Sequence, residues 1–421
     1  MSRTVLRGTV LAGLLLVALG IGFVGTAAAT DTAPNCGDVG YSQNSSGWNK
    51  VTNISQLQCI EVNGPQQNYV LTNDIDASGT QNWNDDGSGA EGFEPIGASN
   101  KKFTGSFDGQ GHEISNLYID REEASYVGVF GAVEDGRIEN VGVENVSITG
   151  KPSVGGLVGE IDGGTVSESY ATGLIDISTN QRAEYVGGLV GQNYGGTVTG
   201  SHATSSVTLS GSKSHNVGGL VGRNINNGTV TNSYATGTVT GTNQVGGLVG
   251  INNNATINTS YATGTVTGSI AGGFVGQQRN GATVDESYAT GDVTGELKEG
   301  STDTGGFVGR NNGTVTASYA TGAVSAPSNT NSFTFIGGFA GFNDEGGRVT
   351  TSYATGDVNG SGTYNGSLHN LINKGFNSEI YAGGLVGGNL GIVFPSYWDK
   401  GTTNQSNAIG AKFDRGSSTN L

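Results

Sequence analysis

Eight near-copies of one short motif, Gly-Gly-(Leu/Phe)-(Val/Ala)-Gly, run through the chain from residue 155 onward. Each copy is followed 13 to 15 residues later by Ser-(Tyr/His)-Ala-Thr or a relative of it. The copies begin at Gly155, Gly187, Gly218, Gly246, Gly272, Gly305, Gly337 and Gly383. Such a period is typical of stacked small units, none of which can bury a core alone. The sequence therefore constrains the architecture much more strongly than the chemistry.

Length varies at one place in each unit. The distance from the serine of one unit to the next Gly-Gly ranges from 12 to 31 residues, whereas the other half is nearly fixed. This is expected of a solenoid, because stacking fixes the walls of a coil and one corner tolerates insertions. The shortest unit, Gly246 to Ala271, places Leu248, Ile257 and Val266 in short apolar clusters. Clusters separated by Gly or Asn predict three short strands joined by tight turns.

The fold predicted from these features is all-β, a parallel β-helix of about nine coils from Tyr126 onward. Right-handed winding is expected, because parallel crossover connections are right-handed in nearly all proteins. The open edges at the two ends need caps. The predicted division is a signal peptide (1–29), an N-terminal cap segment (30–68), a β-segment that leads into the repeats (69–125), the repeat β-helix (126–395) and a C-terminal cap or tail (396–421).

The first residues resemble a secretory signal peptide. Arg3 and Arg7 precede an apolar run over 10–24, and Ala27-Ala28-Ala29 offers a cleavage point. An uncleaved anchor is the alternative. Removal of two arginines would change the formal charge from -16 to about -18. Such acidity excludes a nucleic-acid partner, which needs a basic footprint, and indicates either plain solubility or a high-salt habitat. We therefore expect a secreted or extracellular protein, associated with the cell surface or free, with no membrane span after cleavage.

The chain has two cysteines, Cys36 and Cys59, both close to the mature N-terminus. In an exported protein this pair predicts one disulfide, with two unpaired thiols as the alternative.

The repeats resemble a known family. Gly-Gly-Leu-Val-Gly followed by Ser-Tyr-Ala-Thr-Gly is similar to the GLUG motif, and the segment 69–112 looks like the one that often precedes it. The resemblance covers about residues 54 to 398. It implies a secreted or surface-attached bacterial or archaeal protein, many members being adhesin-like. Some immunoglobulin A-cleaving metallopeptidases carry the motif beside a separate zinc domain, and no His-Glu-x-x-His is present here.

Catalytic patterns are weak in this sequence. The four histidines (His112, His202, His215 and His369) stand apart from any recognisable partners. Glycoside hydrolysis needs two carboxylates ~5 to ~9 Å apart, and no repeat column carries acids on adjacent coils. Asp292 and Asp357 are equivalent but two coils apart. An acidic cluster near the N-terminus stays a candidate for a catalytic carboxylate pair: Asp85, Asp86, Glu91 and Glu94. We expect no catalysis, no cofactor and no metal.

The segment 74–79 has two interpretations, a calcium-binding loop or a strand and turn. Asp74-x-Asp76-x-Ser78-Gly79 resembles the start of an EF-hand loop, but Asp85 stands where a glutamate is needed. The strand and turn is the favoured interpretation.

A column of tyrosines is the most suggestive feature for binding. Its members follow the invariant serine and are interrupted only by His202: Tyr170, Tyr234, Tyr261, Tyr288, Tyr319, Tyr353 and Tyr397. Small residues on either side predict that the rings point outward. Exposed rings one strand spacing apart could stack on sugar rings or on a protein, or on each other. Mutual stacking is the favoured interpretation.

The largest insertion, between Ser352 and Gly383, is the second candidate for binding. It carries Tyr364, Leu368 and Phe376, and an apolar loop on a rigid wall predicts either a partner-binding loop or a cap. The overall prediction is a non-catalytic repeat protein for adhesion to an unidentified surface protein or glycan. A polysaccharide-acting β-helix enzyme and a purely structural envelope component are the alternatives.

Overall fold

The computed structural model describes residues 32–412, apart from 86, 88, 98–100, 178–183, 210–214, 297–301, 328–332 and 361–379. The predicted signal peptide, Asp86 and the loop residues Tyr364, Leu368 and Phe376 lie outside the described residues. None of the helices in the described part is long and apolar enough to cross a membrane.

The chain winds into a parallel β-solenoid, as the repeats predicted, and each coil visits four sheets in turn. Sheet 1 holds the strands that end in the first glycine of each motif: Val154–Gly155, Glu184–Gly187, His215–Gly218, Val245–Gly246, Ile270–Gly272, Thr302–Gly305, Thr334–Gly337 and Ile380–Gly383. Sheet 2 follows the Gly-Gly bend: Phe130–Glu134, Val158–Asp162, Val190–Tyr194, Val221–Ile225, Val249–Asn253, Val275–Arg279, Val308–Asn311, Ala340–Asn343, Val386–Asn389 and Ile409–Lys412.

Sheet 3 is the longest wall and begins in the N-terminal cap: Asn49–Val51, Tyr69–Leu71, Ser106–Asp108, Arg137–Glu139, Thr165–Ser167, Thr197–Thr199, Thr229–Thr231, Thr256–Asn258, Thr283–Asp285, Thr314–Thr316, Arg348–Thr350 and Ile392–Val393. Sheet 4 starts at the tyrosine column and takes up to two strands per coil: Ile75–Asp76, Glu113–Ser115, Tyr118–Asp120, Gly142–Thr149, Tyr170–Ile177, His202–Ala203, Ser206–Leu209, Tyr234–Ala235, Val239–Thr240, Tyr261–Ala262, Val266–Gly268, Tyr288–Ala289, Val293–Gly295, Tyr319–Ala320, Val324–Ser325, Tyr353–Ala354, Val358–Asn359 and Tyr397–Trp398.

One repeat makes one coil, and the register is maintained at equivalent positions. Gly246 pairs with Gly272 in sheet 1, and Tyr261 pairs with Tyr288 in sheet 4. The shortest coil contains five strands rather than the three predicted, because glycines introduce two extra bends. The Gly-Gly pair separates sheet 1 from sheet 2, and Gly264 separates the two strands of sheet 4.

The number of complete coils is eight, slightly fewer than the nine predicted. Sheet 1 has eight strands in the described residues. The segment 126–131, Tyr-Val-Gly-Val-Phe-Gly, is a degenerate copy of the motif that precedes the eight. It leads into a strand of sheet 2 but contributes only an isolated bridge, Val127 to Val154, to sheet 1. The chain turns and bends from Arg121 to Tyr126 just before this bridge, which leaves no room for a strand there.

The interior is one continuous apolar core that reaches from Val51 to Val386. Valines of neighbouring coils lie in register, and Phe274, Phe307 and Phe339 stack with ring centroids 4.7 and 4.8 Å apart. Each ring fills the layer between two coils, so the coils share one core.

A column of buried amides runs through the same interior. The members occupy one position of sheet 2 and each donates from its side-chain nitrogen to the side-chain oxygen of the next: Asn193, Asn224, Asn252, Gln278, Asn311, Asn343 and Asn389. The bonds are 2.8 to 3.3 Å long. Such a column satisfies buried polar groups only if it is uninterrupted.

The motif serine forms a second hydrogen-bonded column. The backbone N–H of Ser233 donates to Ser260 Oγ at 3.2 Å, and Ser233 Oγ donates to the Thr231 carbonyl at 2.7 Å. The same pair of bonds recurs at Ser260 and Ser287. Each serine hydroxyl donates to the carbonyl two residues earlier and accepts from the backbone N–H of the serine in the neighbouring coil. Only a small, buried side chain can make both bonds, which explains why the serine is invariant.

The N-terminal end is closed by helices and a disulfide. Cys36 lies in the 3₁₀ helix Cys36–Asp38 and is bonded to Cys59, between the helices Ile54–Gln58 and Ile60–Asn63. A second 3₁₀ helix spans Ser78–Asn82, and Trp83 behind it is fully buried. At the other end the helix Lys400–Thr403 follows Trp398, which packs against the core.

Candidate functional site

The tyrosine column forms a continuous stack of rings. From Tyr170 through His202 to Tyr353, neighbouring rings have centroids 4.6 to 5.0 Å apart and planes within 12° of each other. Both faces of each interior ring are therefore covered by its neighbours. Tyr397 pairs in register with Tyr353 but makes no ring contact with it, and it is 68% exposed. Stacking of a ligand on these rings stays a prediction. A ring face is accessible to a ligand only at this end of the row.

We expect the row to contribute to stability. Replacement of Tyr261 by alanine removes its contacts with Tyr234 and Tyr288, which at ~0.5 to ~1.5 kcal/mol each lowers the free energy of unfolding by about 2 kcal/mol. Replacement by phenylalanine keeps both stacks and serves as the matched control. Chemical unfolding followed by circular dichroism measures both variants. Equal stability of the alanine and phenylalanine variants would contradict a structural role for the row.

The histidines do not come together. His202 is stacked in the row, where burial lowers its pKa. His112 Nδ1 lies 3.0 Å from Asp74 Oδ1 in the N-terminal part. His215 begins a strand of sheet 1, and His369 lies outside the described residues. No group of three His, Cys, Asp or Glu side chains in the described part of the chain could hold a metal ion.

The candidate carboxylates are engaged in local hydrogen bonds. Asp292 Oδ1 accepts from the backbone N–H of Ala323 at 2.8 Å, and Asp357 Oδ1 accepts from Asn404 Nδ2 at 2.6 Å. Asp285 lies opposite Thr316 in the next coil. The expectation that no column carries acids on adjacent coils is wrong for Glu134 and Asp162, which lie in register. Lys102 pairs with both carboxylates, at 3.3 and 2.7 Å, and offsets their repulsion. These carboxylates stabilise turns and coil contacts.

The acids of the N-terminal part are also used structurally. Glu91 is paired with Arg121 at 2.7 Å. In the segment that resembles a calcium loop, Asp76 accepts from the backbone N–H of Ser78 and from Asn116 Nδ2. Ile75–Asp76 is a strand, and the turn after it is the 3₁₀ helix Ser78–Asn82.

Two facing columns of mostly buried side chains follow the seam where sheets 1 and 2 meet, and the seam opens into a cavity at its middle. This seam, called the groove below, was not predicted from the sequence. The first column is the residue two places before each Gly-Gly, in or directly before a strand of sheet 1: Ser153, Tyr185, Asn216, Gln244, Ile270, Asp303, Phe335 and Tyr381. Sheet 2 contributes the residue directly after each motif: Glu160, Gln192, Arg223, Ile251, Gln277, Arg310, Phe342 and Gly388. The bend at Gly-Gly turns these two columns toward each other.

Side-chain contacts show that the two columns touch. The Arg223 guanidinium lies 4.7 Å from the ring centroid of Tyr185. Farther along, Arg310 is ion-paired with the fully buried Asp303. Beyond this pair, the rings of Phe335 and Phe342 lie 4.9 Å apart. The groove therefore changes from polar to aromatic toward the C-terminal end.

Side-chain variation distinguishes this groove from the walls described above. Glycine, serine, alanine and amide positions barely change from coil to coil, whereas the two groove columns hold acids, amides, arginines, aromatics and aliphatics. Five of the sixteen positions are partly exposed: Tyr185, Arg223, Gln244, Arg310 and Phe342. Repeat proteins bind partners through exposed positions that vary on a uniform framework. The signal was present in the sequence, because the residues that flank each motif vary while the motif does not.

A chain of side chains spans three coils in the groove. Arg223 Nη1 donates to Gln192 Oε1 at 3.3 Å, and Gln192 Nε2 donates to Glu160 Oε2 at 2.7 Å. Burial raises the pKa of Glu160, and the nearby Lys102 opposes this shift. This hydrogen-bonded series of side chains has the Glu160 carboxyl at one end and the Arg223 guanidinium at the other.

Glu160 predicts a pH dependence of stability. A carboxyl group with a raised pKa in the folded state contributes fully below its ordinary pKa, and this contribution is lost as the pH rises through the folded pKa. Glu160→Gln keeps an acceptor for Gln192 but removes the buried charge. We therefore expect the variant to melt at a higher temperature than the wild type at pH 8, with the difference vanishing near pH 4. A difference that does not change between the two pH values would contradict this assignment.

Next to this chain the groove widens into a cavity of about 300 Å³. It is lined by Glu184, Tyr185, His215, Asn216, Arg223, Gln244, Ile251, Asn253 and Arg279. Neither Arg223 nor Arg279 forms an ion pair with a carboxylate of the described residues. Arg279 is exposed as a whole. Desolvation of its guanidinium, together with the positive charges of Arg310 and Arg223, lowers the pKa of Arg279. The cavity thus gathers positive charge in an acidic protein.

Comparison with known proteins identifies the repeat motif and finds relatives for part of the chain. The model of the GLUG motif matches residues 182–208, 213–240, 268–294 and 336–359. A segment of 134 residues, 30% of this chain, is 42% identical to halomucin of Haloquadratum walsbyi, and it covers 1% of halomucin. A segment of 75 residues, 17% of this chain, is 36% identical to a Gly-rich membrane protein of Evansella cellulosilytica and covers 9% of it. The chain thus spans a small part of both relatives.

A solved structure of a candidate immunoglobulin A1 protease from Bacteroides ovatus is 19% identical, with a TM-score of 0.44 over 68% of this chain and 78% of that one. At this TM-score the likeness is too weak to support an argument about fold or function. The four motif matches and the one-repeat, one-coil register agree with the sequence pattern. The chain therefore carries repeats of the GLUG motif, wound into a parallel β-solenoid.

Proposed function

We propose that this chain is a non-catalytic surface module that holds a surface protein or a glycan in the groove between sheets 1 and 2. The relatives support the surface location, since one is named halomucin and the other a Gly-rich membrane protein. Export through the predicted signal peptide is part of the proposal.

The groove is the observation on which the proposal rests. Its framework is rigid, because the amide, serine and tyrosine columns link successive coils. Its side chains differ from coil to coil, which a purely structural wall does not require. The rigid framework keeps the groove in its binding shape before the partner arrives, which lowers the cost of association.

A binding survey of the full mature chain tests the proposal. The protein is applied to arrays of glycans and of surface proteins, and the release of reducing sugar is measured on the same glycans. Saturable binding without product supports a non-catalytic module. Sugar release would favour a polysaccharide-acting enzyme, and ordered self-assembly without any ligand would favour an envelope component. Either result would overturn the proposal.

The acidity of the chain predicts that its stability rises with salt concentration. The formal charge of -16 acts over ~10 Å at 0.1 M salt but over only ~3 Å at 1 M. Screening of this self-repulsion favours the compact state, so we expect the melting temperature to rise by several degrees from 0.1 to 2 M sodium chloride. Potassium chloride at the same ionic strengths is the matched control and is expected to give the same rise, because screening depends on ionic strength. A flat or falling melting temperature in sodium chloride would remove the case for a high-salt habitat.

A further inference from the structure

We infer that the groove cavity between Tyr185 and Arg279 binds an acidic saccharide, with the carboxylate or sulfate group of one sugar held between Arg223 and Arg279. This inference rests on the proposed function, because it assigns a ligand class to the same groove.

The arginines of the chain are concentrated here. Six arginines lie in the described residues, and three of them, Arg223, Arg279 and Arg310, line or adjoin the groove. Arg121, Arg137 and Arg310 are each paired with an acid. Arg223 and Arg279 have no such pair in the described part, so the cavity offers two guanidinium groups to an external anion.

The chemistry of these two side chains suits a planar anion. A guanidinium presents several N–H donors in a fixed fork that matches a carboxylate and also bonds a sulfate. Arg223 is held over the Tyr185 ring and by Gln192, so part of its ordering cost is already met in the free protein. A preorganised donor gives more affinity per hydrogen bond than a mobile one.

The remaining lining suits hydroxyl groups rather than a bare inorganic anion. Asn216, Gln244 and Asn253 supply amide donors and acceptors, and Glu184 supplies acceptor oxygens. A carboxylate in the wall also disfavours a densely charged ligand. A volume of about 300 Å³ is at the lower end of small-molecule sites. These properties favour one charged sugar in the cavity, within a saccharide that extends beyond it.

Calorimetry with defined oligosaccharides on the full mature chain tests the inference. The probes are a galacturonic acid hexamer, the same hexamer methyl-esterified to remove its charges, a sulfated hexasaccharide and an acidic peptide. We expect the charged sugars to bind and the methyl ester to bind at least 10-fold more weakly. An acidic peptide that binds as well as the charged sugars would show that the ligand class is wrong.

Variants of the two arginines locate the site. We expect Arg279→Gln and Arg223→Gln to weaken binding of the charged sugars ~10- to ~100-fold. Arg137→Gln removes the same charge from sheet 3 and is expected to leave binding unchanged. Should a glutamine variant fail to fold, Arg279→Lys keeps the charge, loses the fork and is expected to weaken binding ~10-fold.

The outcomes separate this inference from the proposed function. Equal binding of charged and esterified hexamers, unaffected by Arg279→Gln, would overturn the inference and leave a neutral-glycan function of the groove intact. Binding of proteins alone would overturn the inference but not the proposed function. Absence of any saccharide or protein ligand would overturn both.

Discussion

Replacement of Asn252 by isoleucine is expected to lower the free energy of unfolding by about 3 kcal/mol. Asn252 is fully buried, accepts from Asn224 and donates to Gln278 at 2.9 Å. Isoleucine fills the space but leaves the Gln278 side-chain oxygen without its donor, and an unsatisfied buried group costs more than a lost hydrogen bond. Chemical unfolding of the purified variant measures the effect.

Asn193 provides the matched control at the start of the same column. It makes equivalent bonds to two backbone carbonyls, at 3.1 and 3.4 Å, but the residue before it in the column is Ile161. Asn193→Ile therefore breaks one amide bond instead of two and is expected to cost about half as much. Equal losses for the two variants would mean that continuity of the column is unimportant.

Replacement of Gly247 by alanine is expected to cost about 3 kcal/mol, because the added methyl group has no room. A Cβ at this position would lie 2.1 Å from the carbonyl oxygen of Gly273 and 3.0 Å from the Ala262 side chain. The carbonyl belongs to the next coil, so relief of the clash requires two coils to separate. A lower melting temperature and a lower midpoint of chemical unfolding are the expected results.

Gly40 is the control for the glycine substitution. A Cβ there would meet nothing within 4 Å, and its φ is not among the positive values of the chain. Gly40→Ala is therefore expected to be neutral or slightly stabilising, since alanine restricts the unfolded chain. If Gly247→Ala were as stable as Gly40→Ala, close contact between coils would not explain the Gly-Gly pairs.

The repeat period was sufficient to predict the wound architecture. Each motif glycine pairs with its counterpart one repeat later, as Gly246 does with Gly272, and each tyrosine does the same. A period is a strong signal because every copy must satisfy the same neighbours. The stacked rings follow from the same register, since equivalent positions lie one strand spacing apart.

The finer geometry depended on bends that the pattern did not reveal. Strand number per coil was underestimated, because the glycines that divide the coil into five strands also occur in ordinary turns. The amide column was overlooked, although an asparagine or glutamine stands two places after nearly every Gly-Gly-Leu-Val-Gly motif. A polar residue in an apolar strand is usually taken as outward-facing, and only the stack of coils makes a buried amide acceptable.

The motif itself does not predict the candidate site, and the signal lies only in the variable residues that flank it. Tyr185 and Arg223 are 38 positions apart in the sequence, and the Gly-Gly bends bring their columns into contact. The invariant residues build the walls, whereas the groove consists of the residues that vary.

The most direct test of the groove as the binding surface is to block it. Cys36 and Cys59 are bonded to each other, so Asn253→Cys introduces a thiol at the cavity that a bulky maleimide can label. Thr197→Cys on sheet 3, labelled in the same way, is the control. Affinity for the strongest ligand from the array is measured by calorimetry for both labelled proteins. We predict a loss of at least ~10-fold for the labelled Cys at 253 and none for the control, whereas unchanged affinity at both positions would contradict the account.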